Sequence, residues 1–262
     1  MTDASPLLLR REGEVARLCL DRPAHGQTIS RATWRALPGL LAQADAAAEV
    51  KVVIVQSTTP ACFSAGADPV ELADMAVNAD RARAAGAEAQ MALAALAGLA
   101  KPSIALVRGL CLDGGCAIAL ACDLRFADDS ARIGLTAVRT GLLPEFAAVR
   151  ALAARVGPAR AADMAFSGRL LAASEAERIG LVEDVWPDHA FDAAAGEYVA
   201  ALCGVSQYSV RGAKAMLRAI AGGATVEPPR LRELTVQAYA GVDFHEAGAA
   251  LAQGRNPAFK WR

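Results

Sequence analysis

The sequence predicts an α/β fold in one sizeable domain. Three observations carry that expectation. Residues 51–57 form a continuous β-branched run and residues 103–107 a second apolar run, as strands buried on both faces do. Each run leads into a turn rich in glycine and small residues, FSAGAD at 63–68 and RGLCLDGGCA at 108–117. Between and after these turns the chain is rich in alanine, which favours helix. A chain of 262 residues with 54% hydrophobic residues can bury one large core, with room for a helical appendage.

In order along the chain, residues 15–20 alternate in part between apolar and polar and read as a strand that ends at the turn signal Asp21-Arg22-Pro23. Ser30 is placed to cap a helix beginning near Arg31, with Trp34, Leu37, Leu40 and Leu41 on one face. Residues 70–99 read as helical. Residues 116–121 read as a helix start directly after the glycine pair, with Asp113 as its expected cap. Residues 123–127 read as another strand. Helices follow at 146–156 and from Pro158 to about Phe166, where proline suits the first turn. Ser174, with Glu177 three residues on, resembles a capping box. Residues 189–203, 207–220, 229–239 and 243–253 read as four helices between glycine and proline breaks.

The charge balance, 27 Lys+Arg against 28 Asp+Glu, gives no basic footprint for nucleic acid. The six cysteines form no CxxC pair, and the three histidines are scattered. Buried free thiols in a reducing compartment fit this pattern better than a disulfide framework or a zinc site. Neither a signal peptide nor a membrane span is read from the sequence, and a cytoplasmic location is the expectation.

Strand, glycine turn and helix start together point backbone N–H groups toward negative charge, and glycine lets a ligand approach the backbone closely. The same pattern also serves as a tight turn that anchors a core helix. The segments FSAGAD, KPSIALVRGLCLDGGCAIALACD and GLLPE, in this order and spacing, resemble the crotonase superfamily, the enoyl-CoA hydratase/isomerase family. The resemblance spans nearly the whole chain and is weakest in residues 72–100 and in the C-terminal helices. It implies a crotonase (ClpP/crotonase-like) spiral of ββα repeats in residues 1–200, for acyl-CoA binding and catalysis. It assigns residues 201–262 to a helical region for oligomerisation and for covering CoA. The implied partner is an acyl-CoA thioester, with coenzyme A as part of the substrate and no separate cofactor or metal. The implied assembly is a homotrimer or homohexamer.

The resemblance also assigns roles. Ala67 and Gly114 supply one backbone N–H each to an oxyanion hole for the thioester carbonyl, and paired donors suit a carbonyl that becomes an enolate. Arg22, Ala65, Asp68, Leu142 and Lys260 are the implied substrate and CoA contacts. The family's hydratases carry two glutamates, and this chain has Ala117 and Ala137 at those positions. Alanine neither orients water nor transfers a proton. One carboxylate remains nearby, Glu145 of GLLPE, among Leu142, Leu143, Pro144 and Phe146. An apolar setting raises a carboxyl pKa toward that of a usable base, while a helix-start glutamate is also favoured by the dipole alone. Family members with an acid at this turn include enoyl-CoA isomerases. The expected activity is therefore a double-bond shift in an unsaturated acyl-CoA. The alternatives are a hydrolase or dehalogenase using Glu145 as nucleophile, or a catalytically silent acyl-CoA-binding homologue.

Overall fold

The structure is a computed structural model and describes residues 6–260. Strands β1 (Leu7–Glu12) and β2 (Val15–Leu20) form an antiparallel hairpin, and α1 (Arg31–Ala46) follows. The strands β3 (Val52–Ser57) and β4 (Cys62–Ser64) precede helices α2 (Pro69–Ala76) and α3 (Ala79–Ala97). Next come β5 (Ser103–Val107), β6 (Leu110–Leu112) and α4 (Gly114–Ala121). Strands β7 (Leu124–Asp128) and β8 (Arg132–Gly134) then precede α5 (Phe146–Val156) and α6 (Pro158–Ser167). The chain continues through β9 (Leu171–Ala172), α7 (Ala173–Arg178), β10 (Asp184–Trp186) and α8 (Asp188–Gly204). It closes with α9 (Gln207–Ala221), α10 (Pro229–Tyr239) and α11 (Val242–Gln253).

Among the described residues the strands form two sheets, ordered β1-β2-β3-β5-β7-β10 and β4-β6-β8-β9. The ββα repeat is visible in this order. Each of the pairs β3/β4, β5/β6 and β7/β8 gives its first strand to the large sheet and its second to the small one, and helices follow. The result is the crotonase fold with a C-terminal helical region. The β3, β5 and β7 strands pair in parallel, and the residues Val52–Val55 and Ile104–Val107 are accordingly apolar in continuous runs rather than alternating.

The main core fills the space between the sheets and the helices, around Leu18, Leu37, Val53, Phe63, Leu96, Ile118 and Leu152. A second cluster packs α8 on the large sheet through Phe126, Phe191 and Val199, with Phe126 and Trp186 stacked at 4.6 Å. The described cysteines are free thiols, buried except for the partly buried Cys62. No described helix is long and apolar enough to cross a membrane.

Two expected caps are corrected. Ser174 lies inside α7, which begins at Ala173 after Ala172 and has no side-chain cap. The Asp113 side chain does not cap α4 either. Its carboxylate turns away to the segment after β8, where two backbone N–H groups converge on one oxygen. Ser30 does cap α1, in a reciprocal box with Thr33.

Buried lysines and an arginine dock the C-terminal helices on the core. Lys214 donates to the Lys101 carbonyl at 2.7 Å and to Asp123 at 2.6 Å. Lys51 donates to the Cys203 carbonyl at 2.8 Å, and Arg218 to that of Gly98 at 2.8 Å.

Candidate active site

Three neighbouring parallel strands of the small sheet end at the same edge. Cys62 pairs with Leu110 and Ser64 with Cys111, and Cys111 and Leu112 pair in turn with Ile133 and Gly134. The turns that leave β4, β6 and β8 therefore emerge side by side. They are Ala65-Gly66-Ala67-Asp68, Asp113-Gly114-Gly115 and Leu135-Thr136-Ala137.

Steric limits fix how closely these turns pack. Gly66 has φ +93°, and a Cβ there would lie 3.4 Å from the Asp113 Cβ and 3.5 Å from the Leu112 carbonyl oxygen. A Cβ on Gly115 would sit 2.4 Å from the Ser64 Cβ, so only glycine fits. The backbone around Ala67 is engaged on both sides. Ile29 N–H donates to the Gly66 carbonyl at 2.7 Å, and Asp68 N–H to the Ile29 carbonyl at 3.3 Å. Ala67 N–H lies between these bonds and donates to no described residue. Gly114 is the first residue of α4, so its N–H has no partner within the helix. Both residues are partly exposed.

Asp68 caps α2 by accepting from Val70 N–H at 3.0 Å and pairs with Arg22 at 2.8 Å. Burial alone would raise its carboxyl. The Arg22 hydrogen bond and the Val70 N–H outweigh that and hold it below the usual carboxylate range. Arg22 also donates to the Thr28 carbonyl at 3.0 Å and to its hydroxyl at 2.9 Å. The guanidinium thus braces the first turn against the loop after β2. A lone arginine at a strand end gave no hint of this pairing across 46 residues of sequence.

Glu145 precedes α5 and makes no side-chain cap. Its half-buried carboxylate has no hydrogen-bond or ion partner among the described residues, and burial pushes its pKa above the ordinary value. Helix α5 packs against α4. Ala117 and Ala137 are both buried, so neither position offers an ionisable group. Leu142 and Arg139 are exposed on the segment before Glu145, and Arg150 is exposed on α5. Lys260 is exposed at the tail. Glu246 orders that tail through Arg255 and Ala258 N–H, which hold its carboxyl at about 2. Trp261 and Arg262 of the closing sequence lie outside the described residues. No cluster able to hold a metal ion occurs among the described residues.

A family model described as enoyl-CoA hydratase/isomerase matches residues 10–259. The chain belongs to the enoyl-CoA hydratase/isomerase family. It is 31% identical to the 2,3-dehydroadipyl-CoA hydratase of Escherichia coli K12, over 98% of this chain and all of that one. It is 34% identical to a short-chain-enoyl-CoA hydratase of Clostridium acetobutylicum, over 68% of each. Among solved structures it resembles an enoyl-CoA hydratase/isomerase family protein of Hyphomonas neptunium, with TM-score 0.94 and 33% identity over 98% of both chains. An enoyl-CoA hydratase of Bacillus anthracis superposes with TM-score 0.87 and 30% identity, over 98% of this chain and all of that one. Family membership makes the chain an acyl-CoA enzyme by kinship; three of the relatives named are hydratases and the fourth is described only as a hydratase/isomerase family protein.

Sequence reasoning overlooked Ile29, whose backbone brackets Ala67, and Trp34, whose ring edge would lie 3.1 Å from a Cβ on Gly114. Trp34 was visible only as a core residue of an amphipathic helix. Ile29 carried no signal.

Proposed function

We propose that this enzyme is an isomerase that converts a 3-enoyl-CoA to the 2-enoyl isomer. The thioester oxygen lies on the N–H groups of Ala67 and Gly114. CoA runs along Ala65–Asp68, bordered by Arg22, Leu142 and Lys260. Glu145 takes the C2 proton, and the C2–H electron pair delocalises into the carbonyl as a dienolate stabilised by the two donors. The glutamic acid then returns the proton to C4, which leaves the double bond between C2 and C3 and regenerates the carboxylate. One base suffices because C2 and C4 lie on one face of the extended system.

The single observation that carries this reading is the Glu145 carboxylate, half-buried and without a partner among the described residues, in a chain that has buried alanines at both hydratase positions. Such a carboxylate is poised to exchange a proton, and nothing at Ala117 or Ala137 can hold a water for addition. The test is a panel of 3-enoyl-, 2-enoyl- and aromatic-ring epoxide CoA thioesters with mass detection. The 3-enoyl substrates should isomerise, with negligible water addition to crotonyl-CoA. Hydration at about 10 per second, an ordinary turnover, contradicts the reading.

The same reading includes a trimer or a dimer of trimers. Its support is the apolar surface on the C-terminal helices, where Leu217, Ile220, Val236, Tyr239 and Leu251 are exposed. Light scattering at micromolar concentration tests it, and a monomer counts against it.

A further inference from the structure

We propose that Asp113 is a positioning residue that couples the oxyanion turn to the segment carrying Glu145; this rests on the isomerase reading above. Asp113 holds a left-handed backbone, φ +43° and ψ −107°, a conformation that favours glycine. A non-glycine residue persists there only where its side chain is firmly engaged. Its carboxylate is engaged three times. Oδ1 accepts from Thr136 N–H at 2.6 Å and from Ala137 N–H at 2.9 Å, and Oδ2 accepts from the Thr136 hydroxyl. Its own N–H donates to the Gly134 carbonyl at 3.0 Å.

These bonds hold the start of the segment that ends at Glu145. From Ala137 the chain makes a tight turn, residues Ala137–Thr140, and Leu142 N–H donates back to the Ala137 carbonyl at 3.0 Å. Beyond that bond, Leu143 and Pro144 make no backbone hydrogen bond to a described residue, and Leu143 is 92% exposed. The base is therefore tethered upstream mainly through Thr136 and Ala137, and Asp113 is what holds them. Asp113 also precedes Gly114 and abuts Gly66, so one side chain sets the base segment relative to both oxyanion turns. A carboxylate that already accepts three hydrogen bonds acts as an anchor.

The test compares Asp113→Gly, Asp113→Asn and Glu145→Gln with wild type. Glycine accepts the backbone angles, so this variant should fold. Two readouts are taken: turnover of a 3-enoyl-CoA, and the red shift of bound 4-hydroxycinnamoyl-CoA, whose carbonyl reports on the oxyanion donors. Asp113→Gly should keep the red shift and a near-normal KM, while kcat falls roughly ten- to a hundredfold, as for a misplaced base. Asp113→Asn keeps an oxygen for both backbone N–H groups and should recover most of kcat. Wild-type kcat in Asp113→Gly overturns the proposal, and so does parallel loss of kcat and red shift, which would place Asp113's effect on the oxyanion turn itself. Full turnover in Glu145→Gln is a separate result: it overturns the isomerase reading and takes the proposal with it.

Discussion

At the start of α2, Asp68 accepts the cap hydrogen bond of Val70 and the guanidinium of Arg22, and its carboxyl is held below the usual range. At the start of α5, Glu145 makes no cap bond and has no cation partner among the described residues, and burial raises its carboxyl. Both acids occupy a helix start, the position that the dipole favours for negative charge. Their surroundings assign them opposite tasks. Asp68 is a fixed charge that holds a turn, whereas burial pushes the Glu145 carboxyl above its ordinary value, the direction that suits the base proposed above. Charge at a helix N-terminus therefore says little about role until its partners are counted.

The largest expected effect comes from removing the proposed base. Glu145→Gln keeps size and apolar packing, so acyl-CoA affinity should persist. Isomerisation should fall by at least the upper part of the roughly 10²- to 10⁴-fold range of acid–base catalysis. Glu145→Asp should retain partial turnover. Next comes the turn proposed to supply an oxyanion donor. Gly115→Ala puts a Cβ 2.4 Å from that of Ser64. It should cost about 1–3 kcal/mol of stability by overpacking, read by denaturant melts, and turnover should fall with it.

Asp68→Asn sharpens the contrast from the other side. It leaves the Arg22 guanidinium, which is mostly buried, without its counter-charge. Stability should drop by about 1–3 kcal/mol, with more effect on KM than on kcat. An Asp68→Asn variant that lost kcat as severely as Glu145→Gln would erase the distinction between the two acids.

The smallest effect is on stability against pH. Burial raises the folded-state pKa of Glu145 above its unfolded value. Its favourable contribution is therefore fully present below the ordinary glutamate value of about 4.3 and is lost as pH rises through the raised folded value. At pH 7 Glu145→Gln should be as stable as wild type or slightly more so, and that advantage should vanish in acid. The activity of wild type should show an acid limb above the ordinary glutamate value, because the base must be ionised.

Much of this contrast could be read from the sequence, and the missing part has a common cause. Buried parallel strands such as 51–57 and 103–107, the glycine turns and the α1 cap are local patterns. Each appeared where the residues indicated. The strand β1 was not anticipated because its second half, Arg10-Arg11-Glu12, is charged and exposed at a sheet edge. The Arg22–Asp68 pair, the Asp113 anchor and the docking of Lys214 join residues 23 to 113 positions apart. No periodicity encodes such links. Glu145 was legible as the remaining acid, but its lack of a partner among the described residues is a property of the folded surroundings.

The central claim, that the Glu145 carboxylate alone performs the proton chemistry, is tested most directly at C2 of the substrate. Wild type and Glu145→Gln are incubated in deuterated solvent with a 3-enoyl-CoA, and deuterium at C2 is followed by mass spectrometry. The account predicts that exchange and turnover fall together in the Gln variant, because both need the same carboxylate. Exchange or isomerisation within a few-fold of wild type, on the order of 1 kcal/mol in barrier, would mean that Glu145 only starts a helix and that another group moves the proton.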